Sequence, residues 1–294
     1  MKKIITIFLS AFLGVLFMLR VRGQQPAGTI RVQVHLVEVY ASVYDHKGQY
    51  VDGLGRDSFQ ISEDGKPQKI ANFESDSGKL SCAILLDTTG SMNEVLPRVK
   101  NSITKLIDVL GAQDAVAIYT FDKRLVVRQE FTTDKAAAKR AVLRTRAEGQ
   151  TALFDALSET AQEISSRPGK KALVVFTDGD DNSSVLNATA AVTRAKKAGI
   201  PLYTIAEGEA TRSQNLKKLL EDLSRRTGGT SHEVKKLGDV EQVFEKIALD
   251  LRHMYMLTYQ PPPTPEEGKW RAIELSLTSG KQYRVRAREG YFPN

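Results

Sequence analysis

One carboxylate and three hydroxyl groups follow a long apolar run in the segment AILLDTTGSM, residues 83–92. Two unrelated chemistries use such a cluster at the end of a buried strand. Asp87 could accept a phosphoryl group as a nucleophile. Alternatively, the alternate residues Asp87, Thr89 and Ser91 could bind a divalent cation through their oxygen atoms. Gly90 is expected to let the backbone turn tightly between these side chains.

Strand-like and helix-like segments alternate between residues 79 and 252. The strand candidates have the sequences LSCAILLD, AVAIYTFD, LVVRQEF, ALVVFTD, PLYTIAEG and TSHEV. Helical patterns cover residues 93–110, 134–145, 152–165, 187–198, 213–227 and 239–252. This alternation predicts an α/β domain with a Rossmann-like, doubly wound, mostly parallel sheet that helices cover on both faces. A short turn joins AVAIYTFD to LVVRQEF, so LVVRQEF is expected to be an antiparallel edge strand.

Shorter strand patterns flank this α/β region on both sides. They cover residues 28–78 before it and residues 253–294 after it. Neither flank has enough strands to bury much apolar surface alone. We therefore expect the two flanks to pair into one small β-sandwich, with the α/β domain of residues 79–252 inserted between them.

Two more residues with oxygen side chains extend the candidate metal site. Asp178 ends the strand candidate ALVVFTD, and Thr151 precedes the third helix in AEGQTALFDAL. Ligands of doubly wound sheets bind beyond the carboxyl ends of the strands. The full set is Asp87, Thr89, Ser91, Thr151 and Asp178, and it offers oxygen atoms without nitrogen or sulfur. Such a set favours a hard cation, Mg²⁺ or Mn²⁺, that keeps an open position for an anionic ligand.

The segments LLDTTGSM, GQTALFDAL and VVFTDGDDN together resemble the metal-ion-dependent adhesion site (MIDAS) of the von Willebrand factor type A (VWA) family. That site has the pattern Asp-x-Ser-x-Ser, then a distant Thr and a distant Asp, and Thr89 departs from it. The whole chain also resembles secreted bacterial proteins called VWFA-related.

The resemblance implies the strand order 3-2-1-4-5-6, in which the three segments converge between the first and fourth strands. It also implies a protein without enzymatic activity that binds another protein through the metal. An Asp or Glu side chain of an extracytoplasmic partner would complete the metal shell.

Three nearby acidic residues have simpler interpretations. Asp155 follows Thr151 by one helical turn, so it could either hold a metal-bound water or act as a first-turn acid that the helix dipole favours. Asp180 and Asp181 are expected to be solvated loop acids.

Two alternatives to a metal site stay open from the sequence. DTTGS also resembles the Asp-Lys-Thr-Gly-Thr segment of ion-pumping ATPases, in which Asp87 would be phosphorylated, although Thr88 stands where that segment has lysine. The other alternative is a scaffold with a degenerate site, in which Thr89 and Ser91 only cap the next helix and Asp87 caps a turn. Capping would leave Thr151 and Asp178 unexplained.

Residues 1–23 have the pattern of a signal peptide. Two lysines precede an apolar stretch over residues 4–19, and Gly23 suits a cleavage site. We therefore expect a secreted or periplasmic protein, with an N-terminal membrane anchor as the alternative. The net charge of +7 falls to +3 without the four basic residues of this segment, which gives little support for nucleic-acid binding. Cys82 is the single cysteine, so the chain forms no internal disulfide.

Overall fold

Fourteen β-strands are present in the part of the chain that the computed structural model describes, which comprises residues 36–75, 78–147, 149–178, 181–263, 268–279 and 283–293. The first four are β1 (Val37–Tyr44), β2 (Phe59–Glu63), β3 (Lys66–Gln68) and β4 (Ile70–Glu74). The next six are β5 (Leu80–Asp87), β6 (Ala115–Phe121), β7 (Leu125–Thr132), β8 (Lys170–Thr177), β9 (Leu202–Ala206) and β10 (Ser231–Glu233). The last four are β11 (Tyr255–Tyr259), β12 (Arg271–Leu277), β13 (Arg284–Ala287) and β14 (Gly290–Tyr291). The signal peptide predicted over residues 1–23 lies outside the described residues.

Six α-helices occur in the same described ranges, and each lies within three residues of its predicted bounds. They are α1 (Leu96–Val109), α2 (Lys135–Arg144), α3 (Leu153–Ser165), α4 (Ala188–Ala198), α5 (Gln214–Thr227) and α6 (Val240–Arg252). Local caps explain several bounds, because the side chains of Asp134, Asn187 and Ser213 accept hydrogen bonds from amides at the starts of α2, α4 and α5. Gly199, with φ of 71°, ends α4 in the left-handed region. Within the described ranges, none of the helices has the length and apolar character needed to cross a membrane.

The six central strands form one sheet in the order β10-β9-β8-β5-β6-β7. Counted along the chain from the β7 edge, this is the order 3-2-1-4-5-6. Neighbouring strands are parallel except for the antiparallel pair β6 and β7. The predicted doubly wound sheet and its antiparallel edge strand are therefore confirmed.

Helices cover both faces of this sheet. One core joins it to α1, α2 and α6 through residues such as Val99 and Ile247. The opposite core joins it to α3, α4 and α5 through residues such as Leu157 and Leu220. Because both faces are covered, every residue of β5 and β8 is buried, which explains why the middle of each strand is a run of apolar residues.

The remaining strands form two four-stranded antiparallel sheets, in the orders β13-β1-β11-β4 and β14-β12-β2-β3. Each sheet mixes strands from both ends of the chain, because β1 pairs with β11 and β2 pairs with β12. The two sheets share an apolar core that includes Val39, Ile61, Leu257 and Ile273. The α/β region is thus inserted in a small β-sandwich, as the sequence predicts. The domain boundaries at residues 23, 28, 78 and 252 stay predictions.

The buried carboxylate of Asp250, on α6, joins the α/β region to the sandwich. The hydroxyls of Tyr44 and Tyr50 each donate to its Oδ1 at 3.0 Å, and the hydroxyl of Tyr203 on β9 donates to Oδ2 at 2.6 Å. Arg286 on β13 forms an ion pair with the same carboxylate. Asp250 is only 2% exposed. This network therefore fixes the end of α6 against the central sheet and against the sandwich sheet that contains β1 and β13.

Candidate metal centre

Two central strands bring two aspartates to one edge of the sheet. β5 ends at Asp87, and β8 ends directly before Asp178. These strands are parallel neighbours, with Leu86 opposite Phe176 in their register. Their carboxyl ends therefore meet at the crevice where ligands of doubly wound sheets bind.

Asp87 is held rigidly at this edge, with 0% of its surface exposed. Its Oδ1 accepts a hydrogen bond from the amide of Thr89 at 3.0 Å, and its Oδ2 accepts one from the hydroxyl of Thr177 at 2.8 Å. Burial raises the pKa of Asp87, and the hydrogen bonds offset part of that effect. The carboxylate is thus fixed in orientation and poorly solvated.

Thr89 and Ser91 connect Asp87 to Asp178. Their hydroxyl oxygens lie 3.1 Å apart, and the Ser91 hydroxyl donates to Oδ1 of Asp178 at 3.1 Å. The hydroxyl of Thr89 therefore joins the cluster in place of the family's serine. Neither side chain accepts a capping hydrogen bond from an amide at the start of the short 3₁₀ turn or of α1. The capping role that the scaffold alternative gives to Thr89 and Ser91 is therefore wrong.

Two residues, Thr88 and Gly90, lie between the ligand candidates Asp87, Thr89 and Ser91 and are not themselves ligand candidates. The hydroxyl of Thr88 donates to the backbone oxygen of Phe121 at 3.0 Å, which anchors the loop to β6. The expectation for Gly90 is wrong, because Gly90 is not among the glycines with positive φ, and a Cβ there would meet no atom within 4 Å. The alternation of Asp87, Thr89 and Ser91 therefore does not require a glycine.

Asp178 carries the largest electrostatic perturbation of the cluster. Burial, followed by the negative charge of Asp87, raises the pKa of Asp178 to about 6. The hydrogen bond from Ser91 acts in the opposite direction. No basic side chain within the described ranges forms an ion pair with either aspartate. The pair therefore concentrates negative charge where water cannot solvate it fully.

Backbone hydrogen bonds hold Thr151 beside the same edge of the sheet. Its amide donates to Oδ1 of Asn182, and its carbonyl oxygen accepts from the amides of Asn182 and Ser183, all at 3.0 Å. The amide of Ala152 also donates to the carbonyl oxygen of Asp122, which follows β6. Thr151 is only 4% exposed. Among the described residues, no hydrogen bond links its hydroxyl to the other four candidates.

The loop of residues 181–187 holds the start of α3. Asp181 accepts hydrogen bonds from the amide of Phe154 at 2.9 Å and from the hydroxyl of Ser184 at 2.6 Å. Asp155 accepts from the amides of Val185 and Leu186 at 2.8 and 2.9 Å. The interpretation of Asp181 as a solvated loop acid is therefore wrong, and Asp155 fixes this loop. Asp180 lies outside the described residues.

Sequence reasoning missed Thr177, Asn182 and Ser184 as residues that support the site. Thr177 directly precedes Asp178 at a strand end, which was an available signal for a role beside Asp87. Asn182 and Ser184 gave no such signal, because their partners lie about 30 residues earlier, at the start of α3.

The donor atoms of the cluster fit a hard divalent cation. Within the described ranges, no group of three or more His, Cys, Asp or Glu residues could hold a metal, so a site here must use hydroxyls beside two carboxylates. Carboxylate and hydroxyl oxygens suit Mg²⁺ and Mn²⁺ better than softer metals. A divalent cation would also balance the two charges that disfavour each other in the metal-free protein.

The sequence of this chain matches known proteins over the same region. The profile of the von Willebrand factor type A domain matches residues 82–246, more than half of the 294-residue chain. The uncharacterized protein sll0103 of Synechocystis sp. is 32% identical over 107 residues, which are 35% of this chain. That match covers 26% of the relative, so the chain spans about a quarter of the relative's length.

Solved structures share the fold. The von Willebrand factor type A structure from Catenulispora acidiphila has a TM-score of 0.52 at 14% identity, and the match covers 88% of this chain and 74% of that one. Proximal thread matrix protein 1 from the mussel byssus has a TM-score of 0.53 at 19% identity, over 64% of this chain and 49% of that one. In that mussel structure, zinc occupies the MIDAS motif.

The profile match over residues 82–246 agrees with the sheet order and with the cluster at the carboxyl ends of β5 and β8. This chain belongs to the von Willebrand factor type A domain family.

Proposed function

We propose that this protein is a metal-dependent protein-binding module. Asp87, Thr89, Ser91, Thr151 and Asp178 hold Mg²⁺ or Mn²⁺ directly or through water. An Asp or Glu side chain of another protein completes the metal shell. The bound ion supplies positive charge that attracts this carboxylate, and the residues of this chain orient and solvate the ion.

The pair of buried aspartates is the observation that carries this proposal. Asp178 accepts a hydrogen bond from Ser91 and lies close enough to Asp87 for the two charges to disfavour each other. Two buried carboxylates without a basic partner repel each other, and a bound cation removes that repulsion. Its hydroxyl neighbours add oxygen donors without adding charge.

The charge balance also supports an acidic partner. Two carboxylates neutralise a divalent ion, but three of the five proposed ligands are neutral hydroxyls, which are weak donors. The ion therefore keeps affinity for a further anionic oxygen. A carboxylate on a partner protein satisfies it, and the binding then depends on the metal.

The proposal treats the protein as an interaction module and not as an enzyme. VWA domains are in general non-enzymatic. The phosphotransferase alternative needs Asp87 to attack a phosphoryl donor, yet Asp87 is 0% exposed and both of its oxygen atoms already accept hydrogen bonds. This geometry favours an orienting carboxylate over a nucleophile.

We further propose that the module acts outside the cytoplasm, on an extracytoplasmic partner. This part rests on the signal-peptide pattern of residues 1–23. N-terminal sequencing of the protein exported by its native host tests it. A chain that begins near residue 24 is expected, and an intact N-terminus in the membrane fraction would instead indicate an anchor.

Thermal unfolding with and without Mg²⁺ or Mn²⁺ tests the metal site. For a ligand at about one hundred times its Kd, stabilisation is about 2.7 kcal/mol, which raises the Tm of a domain of this size by about 5–10 °C. The Thr89→Val variant keeps the shape of the side chain and loses the hydroxyl, so its metal-induced shift is expected to fall. Thr89→Ser restores the hydroxyl and is expected to retain the shift.

Asp87→Ala is the decisive variant, because it removes the central carboxylate. A metal-induced shift in Asp87→Ala equal to that of the wild type would refute the site. A wild-type protein that shows no shift at millimolar metal would support the degenerate scaffold. Phosphate incorporation at Asp87 after treatment with acetyl phosphate, detected by mass spectrometry, would support the enzyme alternative.

A further inference from the structure

Val185 is a fully solvated apolar side chain beside the candidate metal centre. It is 94% exposed, whereas the next most exposed large apolar residue of the described chain, Leu143, is 59% exposed. Binding is more favourable when a partner removes a large apolar side chain from water. A partner that covers Val185 must bind the surface on which Val185 lies, so the surroundings of Val185 indicate the kind of partner.

The backbone of Val185 is fixed although its side chain is free. The amides of Val185 and Leu186 both donate to the carboxylate of Asp155. Ser184 is held from both sides, because its hydroxyl donates to Asp181 at 2.6 Å and accepts from the amide of Asp155 at 3.0 Å. A loop held in this way loses little conformational entropy when a partner binds it.

The same loop is continuous with the candidate metal centre. It begins three residues after Asp178, and its first part is hydrogen bonded to the backbone of Thr151. The amide of Ser183 donates to the carbonyl oxygen of Thr151 at 3.0 Å. Val185 is two residues after Ser183, so its backbone lies within about 10 Å of Thr151. A partner whose carboxylate reaches the centre would thus pass close to Val185.

We propose that Val185 makes an apolar contact with the bound partner and selects for an apolar side chain near the partner's metal-binding Asp or Glu. This inference rests on the proposed function, and it names the chemistry of the partner. The partner segment carries one acidic residue for the metal and, at a fixed distance from it, an aliphatic or aromatic residue that covers Val185. The neutral side chains of Asn182 and Ser183 between the two contacts do not repel such a segment.

Selection from a displayed library of random peptides tests this inference. The full chain is immobilised, and bound peptides are sequenced after selection in millimolar Mg²⁺ and, in parallel, in EDTA. Peptides enriched in Mg²⁺ are expected to carry Asp or Glu, with an apolar residue at one fixed offset. Covering a valine is expected to enrich that apolar residue about five- to tenfold.

Two variants complete the design. Val185→Asn is expected to remove the apolar preference and to retain the Mg²⁺-dependent selection of Asp or Glu. Leu143→Asn on α2 is the matched control, since it also replaces an exposed apolar residue, and it is expected to retain both preferences. Thermal midpoints of both variants in Mg²⁺ are expected to equal that of the wild type.

The possible results separate the two proposals. Metal-dependent selection of Asp or Glu without an apolar preference, or with a preference that persists in Val185→Asn, overturns the role of Val185 and leaves the proposed function intact. The absence of any metal-dependent selection for Asp or Glu overturns the proposed function, and the role of Val185 falls with it.

Discussion

Asp178→Asn is expected to stabilise the metal-free protein and, at the same time, to abolish its stabilisation by Mg²⁺. In the metal-free protein, burial and the charge of Asp87 both disfavour the ionised Asp178. An asparagine removes that charge and keeps an oxygen that can accept the hydrogen bond from Ser91. Asparagine is a much weaker ligand for a hard cation than a carboxylate. The two effects have opposite signs, so one variant separates them.

The expected size follows from the pKa of Asp178, which lies at about 6 instead of the usual 3.8. At about 1.4 kcal/mol for each pH unit, this difference corresponds to about 3 kcal/mol against the charged carboxylate. Water at the edge of the sheet screens part of this interaction. We therefore expect Asp178→Asn to raise the free energy of unfolding of the metal-free protein by about 1–2 kcal/mol at neutral pH.

The same reasoning fixes the pH dependence. Because the pKa of Asp178 is raised in the folded state, the stability that it contributes is fully present below about pH 3.8 and is lost as the pH rises through about 6. Neutral Asp178 and asparagine are nearly equivalent. The difference in stability between Asp178→Asn and the wild type is therefore expected to be small near pH 4 and largest at neutral pH.

Urea unfolding in EDTA and in Mg²⁺, at acidic and neutral pH, measures all of these quantities. Asp108→Asn is the control, because the side chain of Asp108 is 57% exposed and its pairing with Lys139 is expected to contribute less than about 1 kcal/mol. The reasoning is refuted if metal-free Asp178→Asn is less stable than the wild type at neutral pH. It is equally refuted if Mg²⁺ stabilises the variant as much as the wild type.

Three further predictions concern the surrounding structure. Asp250→Asn is expected to lower the free energy of unfolding by about 3–5 kcal/mol in urea, because it leaves the partly buried guanidinium of Arg286 without its anionic partner. A loss below about 1 kcal/mol, or a strictly additive Asp250→Asn/Arg286→Gln double variant, would contradict this network. Asp155→Ala frees the amides of residues 185 and 186, so Mg²⁺ affinity measured by calorimetry is expected to fall about tenfold, and an unchanged affinity would show that the loop does not support the site. Gly90→Ala is expected to change stability and Mg²⁺ affinity by less than about 0.5 kcal/mol, since a Cβ there meets no atom within 4 Å; a large loss would mean that the turn does need glycine.

Local signals made the α/β part of the chain predictable. Asp134, Asn187 and Ser213 each precede a helix and cap it, so the bounds of α2, α4 and α5 follow from nearby sequence. The apolar runs of β5 and β8 reflect burial on both faces, which alternation with helices already implied. The strand order itself came from the resemblance to the VWA family and is confirmed by the order of all six strands in the central sheet.

The supporting contacts of the site were less predictable. Asp181 looked like a solvated acid because its place in an acidic loop gave no sign of a distant partner, yet it accepts a hydrogen bond from the amide of Phe154 at the start of α3. Asp155 left two roles open for the same reason, and its partners are the amides of Val185 and Leu186. Such contacts depend on how two loops pack, and residue types alone do not encode that packing.

The sequence by itself determined the types of element, their order and the presence of oxygen side chains after the strands that end at Asp87 and Asp178. Hydrophobic periodicity and helix capping depend on residues close together in the sequence, so they can be recognised from one sequence alone. Only the tertiary structure decided that these aspartates share one crevice and that the hydroxyls of Thr89 and Ser91 lie together. It also decided that Asp155 holds the backbone of the loop on which Val185 is exposed. Burial and charge proximity create the raised pKa of Asp178, and both arise only when residues far apart in sequence pack together.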